Sequence, residues 1–187
     1  GSEMCIRDSR NDGQKLAGKI IFNFSLKKAQ EQHYYEAINN YQITKYNTSD
    51  ADKAIAEKAV EILKADLAKG YDHIVMARCK NKARANEVYK IYQQYQDYDP
   101  VIVYSGMPNA IGTLKAIKEK KHRIIVCVNM LGEGYDLPQL KIAAIHDERQ
   151  SLAVTLQFIG RFTRTNDIKL GKASFITNIC LLYTSPS

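Results

Sequence analysis

The sequence predicts an α/β fold: a doubly wound, mainly parallel sheet with helices on both faces. Short apolar runs such as HIVMA at 73–77 and RIIVCV at 123–128 lack polar–apolar alternation, as strands covered on both faces do. Between such runs lie longer stretches with apolar side chains at helical spacing. The two patterns alternate from residue 49 to residue 179, the order expected of a chain that builds strand, helix and strand in turn.

Taken in order, residues 19–24 (KIIFNF) read as a short strand, 26–35 as a polar, weakly helical stretch and 41–46 as a second extended piece. None can build a core of its own, so 11–48 is expected to be a connecting arm. A helix follows, with Ser49 or Asp50 as N-cap, Ile55, Ala59, Ile62, Leu63 and Leu67 on one face, and Gly70 just past its end. Strand 73–77 leads to a helix over 81–95 that carries Ala85, Val88, Tyr89 and Tyr92 on one side. Strand 100–104, a helix over 109–120 with Ile111, Leu114 and Ile117, and strand 123–128 repeat the cycle. A glycine-rich loop, a strand over 141–146, a helix over 151–160 and a last strand from 174 towards 179 complete it. In sheets of this kind function gathers in loops beyond the carboxyl ends of the strands.

Composition narrows the class. A chain of 187 residues is long enough for one substantial core, and 45% hydrophobic with 25% charged residues is ordinary for a soluble globular protein. The net charge of +7 is spread along the chain and favours a polyanionic partner. Cys5, Cys79, Cys127 and Cys180 lie far apart, without the paired spacing that zinc or a redox dithiol needs, and are expected to be reduced thiols in a cytoplasmic protein. No apolar run approaches the ~20 residues that cross a bilayer, so no membrane partner is expected. Residues 2–9 and 180–187 resemble translated sequencing-adapter read-through; 1–10 and 180–187 are therefore expected to be non-native tails, with domains missing on either side.

The most informative segment runs from Gln157 through Gly160, Arg161 and Phe162 to Arg164, at the end of an expected helix. Two guanidinium groups three residues apart are permanently charged, planar forks suited to phosphate oxygens. Gly160 allows close backbone packing, and the Gln157 amide can bridge a nucleotide or a catalytic water. This QxxGRxxR pattern resembles motif VI of superfamily-two helicases, the DEAD/DEAH and restriction-type enzymes, whose C-terminal lobe is RecA-like. In that family the two arginines reach across a cleft to ATP bound on the other lobe.

Residues 125–138 resemble motif V of the same family: a strand entering a loop with a glycine, Gly134, two residues before an aspartate, Asp136. The resemblance implies that this loop touches the nucleic-acid backbone and that Asp136 contacts the nucleotide or couples the two sites. Val128 and Asn129 stand where many members have Thr and Asp, so this loop is expected to grip phosphate through backbone amides. Residues 73–78 resemble motif IV, with Arg78, Lys80 and Lys82 offered to phosphates at the strand exit. Ser105 and Gly106 after Tyr104 resemble a further backbone-contacting element. The resemblance spans 50–179, and the arm before it is similar to the connector in restriction-type and defence-associated helicases.

Other patterns are weaker. Gly13 to Lys19 imitates GxxxxGK, but Ile20 replaces the magnesium-holding Ser or Thr and a strand rather than a helix follows. Asp147 to Gln150 imitates an acidic metal motif and reads as solvated strand-exit charges. Gly132 and Gly134 lack the third glycine of a dinucleotide site. His33, His73, His122 and His146 have no metal spacing and read as surface or strand-end residues, and tyrosines such as Tyr89, Tyr92 and Tyr95 as packing.

The expectation is therefore the C-terminal lobe, 49–179, of an ATP-dependent helicase or translocase acting on nucleic acid, with DNA the favoured strand. Arg161, Arg164 and Gln157 would act in catalysis, and Gly134, Asp136 and Gly160 at the nucleotide. Arg78, Lys80, Ser105, Gly106, Val128 and Asn129 would hold the strand. ATP with Mg2+ would be bound mainly by an N-terminal P-loop lobe, so this chain alone should be inactive. A stand-alone basic binding module of the same fold is the alternative.

Overall fold

The computed structural model describes residues 39–128, 137–147 and 170–178. The strands are β1 (Asn39–Ile43), β2 (Ile74–Cys79), β3 (Val101–Val103), β4 (Ile124–Val128), β5 (Leu140–Ile145) and β6 (Ser174–Asn178). The helices are α1 (Thr48–Ala68), α2 (Lys82–Tyr92) and α3 (Ala110–Lys118), with a 3-10 turn at Gln96–Tyr98. The six strands form one sheet in the order β1-β6-β5-β2-β4-β3, and every pair is parallel. This is the doubly wound arrangement that the alternating sequence pattern predicts. The expected helix over 151–160 lies outside the described residues.

Helix boundaries follow local chemistry. The Asn47 side chain caps α1 by accepting from the Ser49 amide at 2.8 Å and the Asp50 amide at 3.4 Å, so the helix starts slightly before the expected Ser49 or Asp50 cap. Gly70 sits just beyond the helix with φ of 88°, a left-handed conformation that costs glycine little. Asn81 caps α2 through the Arg84 amide at 2.9 Å. That helix stops at Tyr92, short of the expected Tyr95, because the chain tightens into the 3-10 turn before β3.

Residues on each central strand divide between two apolar layers. Val75, Ala77, Val126 and Ala144 pack under α1 and α2 with Ile55, Leu63, Val88 and Tyr92. Met76, Ile125, Cys127 and Ala143 face the other way, with Ile117 and Leu114 of α3. Both faces are covered, which is why these strands show no alternation in the sequence.

One boundary differs from expectation. Residues 39–43, assigned above to the connecting arm, pair with β6 and form an edge strand of the sheet. Its polar sequence NNYQI suits a strand with only one neighbour and much exposed surface. Just beyond it, the Asn178 side chain donates to the Lys45 carbonyl at 2.8 Å and accepts from the Lys45 amide at 3.1 Å.

Among the described residues no helix is long and apolar enough to cross a membrane. Cys79 and Cys127 are free thiols, 1% and 2% exposed, on opposite layers of the sheet. Burial raises the Cys79 thiol well above its ordinary pKa. Peptide-mapped iodoacetamide labelling should therefore leave both unmodified in native protein and modify both in denaturant; rapid native labelling at Cys79 would contradict this packing.

Candidate nucleotide and nucleic-acid interface

The direction of the connections locates the site. From β2 the chain moves through α2 to β3 at one edge, and from β5 it moves the opposite way to β6. The switch point lies between the adjacent carboxyl ends of β2 and β5, where open α/β sheets bind ligands. Lys80, the first residue past β2, is exposed there. Across β4, the exit of β3 presents exposed Ser105 and Gly106, and Gly106 has φ of 80°. The Lys82 ammonium lies over the Tyr104 ring, 5.0 Å from its centre, between these two exits. Val128, partly exposed, ends β4.

Arg78 differs from its expected role. It lies within β2 and is only 6% exposed, so its side chain is not a free hook at the strand exit. Burial lowers its pKa, against a smaller opposing influence from Cys127. The expected sites Asn129, Gly134, Asp136, Gln157, Gly160, Arg161 and Arg164 lie outside the described residues. The described elements nevertheless bracket them: β4 leads into the motif V-like loop, and the QxxGRxxR octet falls between β5 and β6.

Sequence reasoning missed a buried charge network beside Lys80. Arg84 reaches Asp52 of α1 at 2.8 Å, Asp147 past β5 at 3.1 Å and Glu87 of α2 at 2.8 Å. Asp52 also accepts from His146 Nδ1 at 2.9 Å. Burial raises the Tyr92 phenol well above its ordinary pKa. The Asp52 carboxylate can only accept, so the imidazole proton facing it is on Nδ1, and the Tyr92 hydroxyl lies 3.0 Å from Nε2. Burial opposes the charge on Arg84, but the hydrogen bonds to Glu87 and Asp52 and the fields of Asp52 and Asp147 outweigh it and raise its pKa.

Two earlier readings are corrected by these contacts. Asp147 is an ion-paired carboxylate with a side chain only 10% exposed, not a solvated strand-exit charge. His73 and His146 do sit at strand ends, but both are buried, at 1% and 0% exposed. His73 bonds Asp66 at 2.8 Å and the Leu170 carbonyl, under a stacked Tyr71 ring, and so pins the chain that enters β6. One sequence signal could have revealed the network: Asp52 shares the buried helical face of Ile55 and Ala59, where an unpaired carboxylate would be costly. Tyr89, Tyr92 and Tyr95 do pack against the core.

Among the described residues no group of three or more His, Cys, Asp or Glu side chains could hold a metal ion.

Comparison with known proteins agrees with this geometry. No curated protein sequence matches the chain. Among solved structures, S. cerevisiae Dbp5 bound to RNA and ADP BeF3 superposes with a TM-score of 0.57 at 16% identity, over 75% of this chain and 34% of that one. The yeast DEAD-box splicing factor Prp28 gives a TM-score of 0.58 at 16% identity, over 78% and 30%. Domain 2 of the DEAD-box helicase Mss116p, bound to an RNA duplex, gives 0.57 at 14%, over 76% and 54%. The chain thus spans about a third of the Dbp5 and Prp28 chains, and these likenesses establish the RecA-like fold. The helicase conserved C-terminal domain family matches residues 54–166, more than half of the chain, from within α1 through the arginine octet. By that match this protein belongs to the helicase conserved C-terminal domain family.

Proposed function

We propose that this chain is the second motor lobe of an ATP-driven DNA translocase, and that Arg161 and Arg164 complete a nucleotide site whose P-loop lies on a partner lobe. One observation carries the reading. The family match includes both the motif V-like loop and QxxGRxxR, and the strands that precede them in the chain, β4 and β5, end on the side of the parallel sheet where Lys80, Ser105 and Gly106 are exposed. Bound ATP with magnesium supplies the phosphoryl group and its neutralising cation. This chain's part is to bring arginine charge to the γ-phosphate while Gln157 and Asp136 link that site to the strand. Lys80, the backbone at Ser105 and Gly106, and the start of the loop at Val128 and Asn129 hold phosphates of the strand.

DNA as the track rests on the similarity of residues 11–48 to restriction-type connectors. RNA is the competing track, since RNA is bound in the structures of Dbp5 and Mss116p. Capture of a duplex by domain 2 of Mss116p supports the idea that such a lobe grips nucleic acid on its own.

The test adds the chain to a separately expressed P-loop lobe and measures ATP turnover with single- and double-stranded DNA and RNA. The chain alone should turn over no ATP, and the mixture should show activity stimulated by DNA. A mixture no more active than the P-loop lobe alone would overturn the motor reading, and stimulation by RNA alone would reassign the track.

A further inference from the structure

Asp147 ties together two strand exits that the sheet sets side by side. Arg78 of β2 pairs with Ile145 of β5, so Lys80 and Asp147 each lie two residues past one register pair. The Lys80 amide donates to Asp147 Oδ2 at 3.2 Å. Lys80 stands between the end of β2 and the Asn81 cap of α2, and this bond fixes its backbone there. The carboxylate is held in turn by Arg84 Nε, at 3.1 Å and 3.3 Å from its two oxygens. Arg84 is anchored to Asp52, 3% exposed, at 2.8 Å. An unbroken series of charge-assisted hydrogen bonds therefore runs from α1 to the backbone of the exposed lysine.

We infer that Asp147 is a positioning residue for a nucleic-acid phosphate contact made by Lys80, with Arg84 holding the carboxylate in place. This rests on the reading of Lys80 as a strand contact given above. A carboxylate beside a polyanion's path is electrostatically unfavourable, so its effect on the strand through space and its effect through Lys80 have opposite signs. Through space, removing Asp147 tightens binding. Through geometry, removing it loosens binding.

The experiment measures fluorescence anisotropy of a fluorescein-labelled oligothymidylate with the full chain over a range of salt concentrations. Native protein is compared with Lys80→Ala, Asp147→Ala, Asp147→Asn and the Lys80→Ala/Asp147→Ala double variant. Losing one phosphate contact should weaken binding about 3- to 10-fold and lower the salt slope by about 1. Asp147→Ala should weaken binding as much as Lys80→Ala despite losing a negative charge, and the double variant should be no worse than either. Asp147→Asn keeps an oxygen to accept the Lys80 amide while losing the charge, and should bind at least as tightly as native protein.

Tighter or unchanged binding by Asp147→Ala, or effects that multiply in the double variant, would overturn the inference and leave the helicase reading intact. Native binding with no effect of Lys80→Ala would do the same. A native chain that binds neither this DNA nor a matching RNA would overturn both.

Discussion

Replacing Arg161 or Arg164 with alanine is expected to lower ATP turnover of the two-lobe complex by roughly 10³- to 10⁵-fold, the range for loss of an arginine that stabilises a transferring phosphoryl group. If, as proposed, the guanidinium acts on charge that develops in the transition state, the loss belongs mainly in kcat, with a smaller change in KM for ATP. An Arg→Lys change at either position retains the charge but loses the planar fork, and should recover only part of the rate. The two residues sit three apart in QxxGRxxR and are proposed to serve one phosphate chain, so the double variant should be scarcely worse than the worse single one. Oligonucleotide affinity of the isolated chain should change far less than turnover. Steady-state kinetics of all variants with one P-loop lobe decide the matter: equal turnover by native and substituted chains would remove the finger assignment and favour a binding module of the same fold.

The parts of this protein legible from sequence are those where one local signal has one structural solution. The unalternating runs at 73–77 and 123–128 read as strands buried on both faces, and the sheet places them adjacent and parallel. The helix from Thr48 showed a clean apolar stripe and a glycine stop. The edge strand Asn39–Ile43 was harder to read, because with one neighbour and an exposed face its residues need little hydrophobicity. The charge network was missed for another reason. Asp52, Arg84 and the pair His146 and Asp147 come from three distant parts of the chain, which meet only when the sheet brings β2 and β5 together beneath α1 and α2. Arg78 erred in the opposite direction: its charge suggested exposure, while its position inside a central strand requires burial. The arginine octet lies outside the described residues, and its role rests on the resemblance to motif VI.

Arg84→Ala is expected to be the most destabilising single charge removal among the described residues, at about 3–5 kcal/mol, the range for breaking a buried ion pair from one side. Arg84 is the shared partner of Asp52 and Asp147, whose side chains are 3% and 10% exposed. Without it, two carboxylates stay poorly solvated at the junction of α1, α2 and the exit of β5, each with its own hydrogen bonds but no compensating cation. His146 would still bond Asp52, and the Lys80 amide would still bond Asp147, so the fold should survive at reduced stability. Glu87 provides the internal comparison. Its pair with Arg84 is equally short at 2.8 Å, but its side chain is 63% exposed. Solvent screening should hold the cost of Glu87→Ala within about 1 kcal/mol. Urea unfolding of the two variants separates burial from distance as the determinant of this network's strength. Adding Asp52→Asn and Asp147→Asn to Arg84→Ala should recover much of the loss, because it removes the stranded charge while keeping oxygen acceptors. Recovery without those charges would assign the energy to electrostatics. No recovery would assign it to the packing of the arginine side chain, which is 13% exposed.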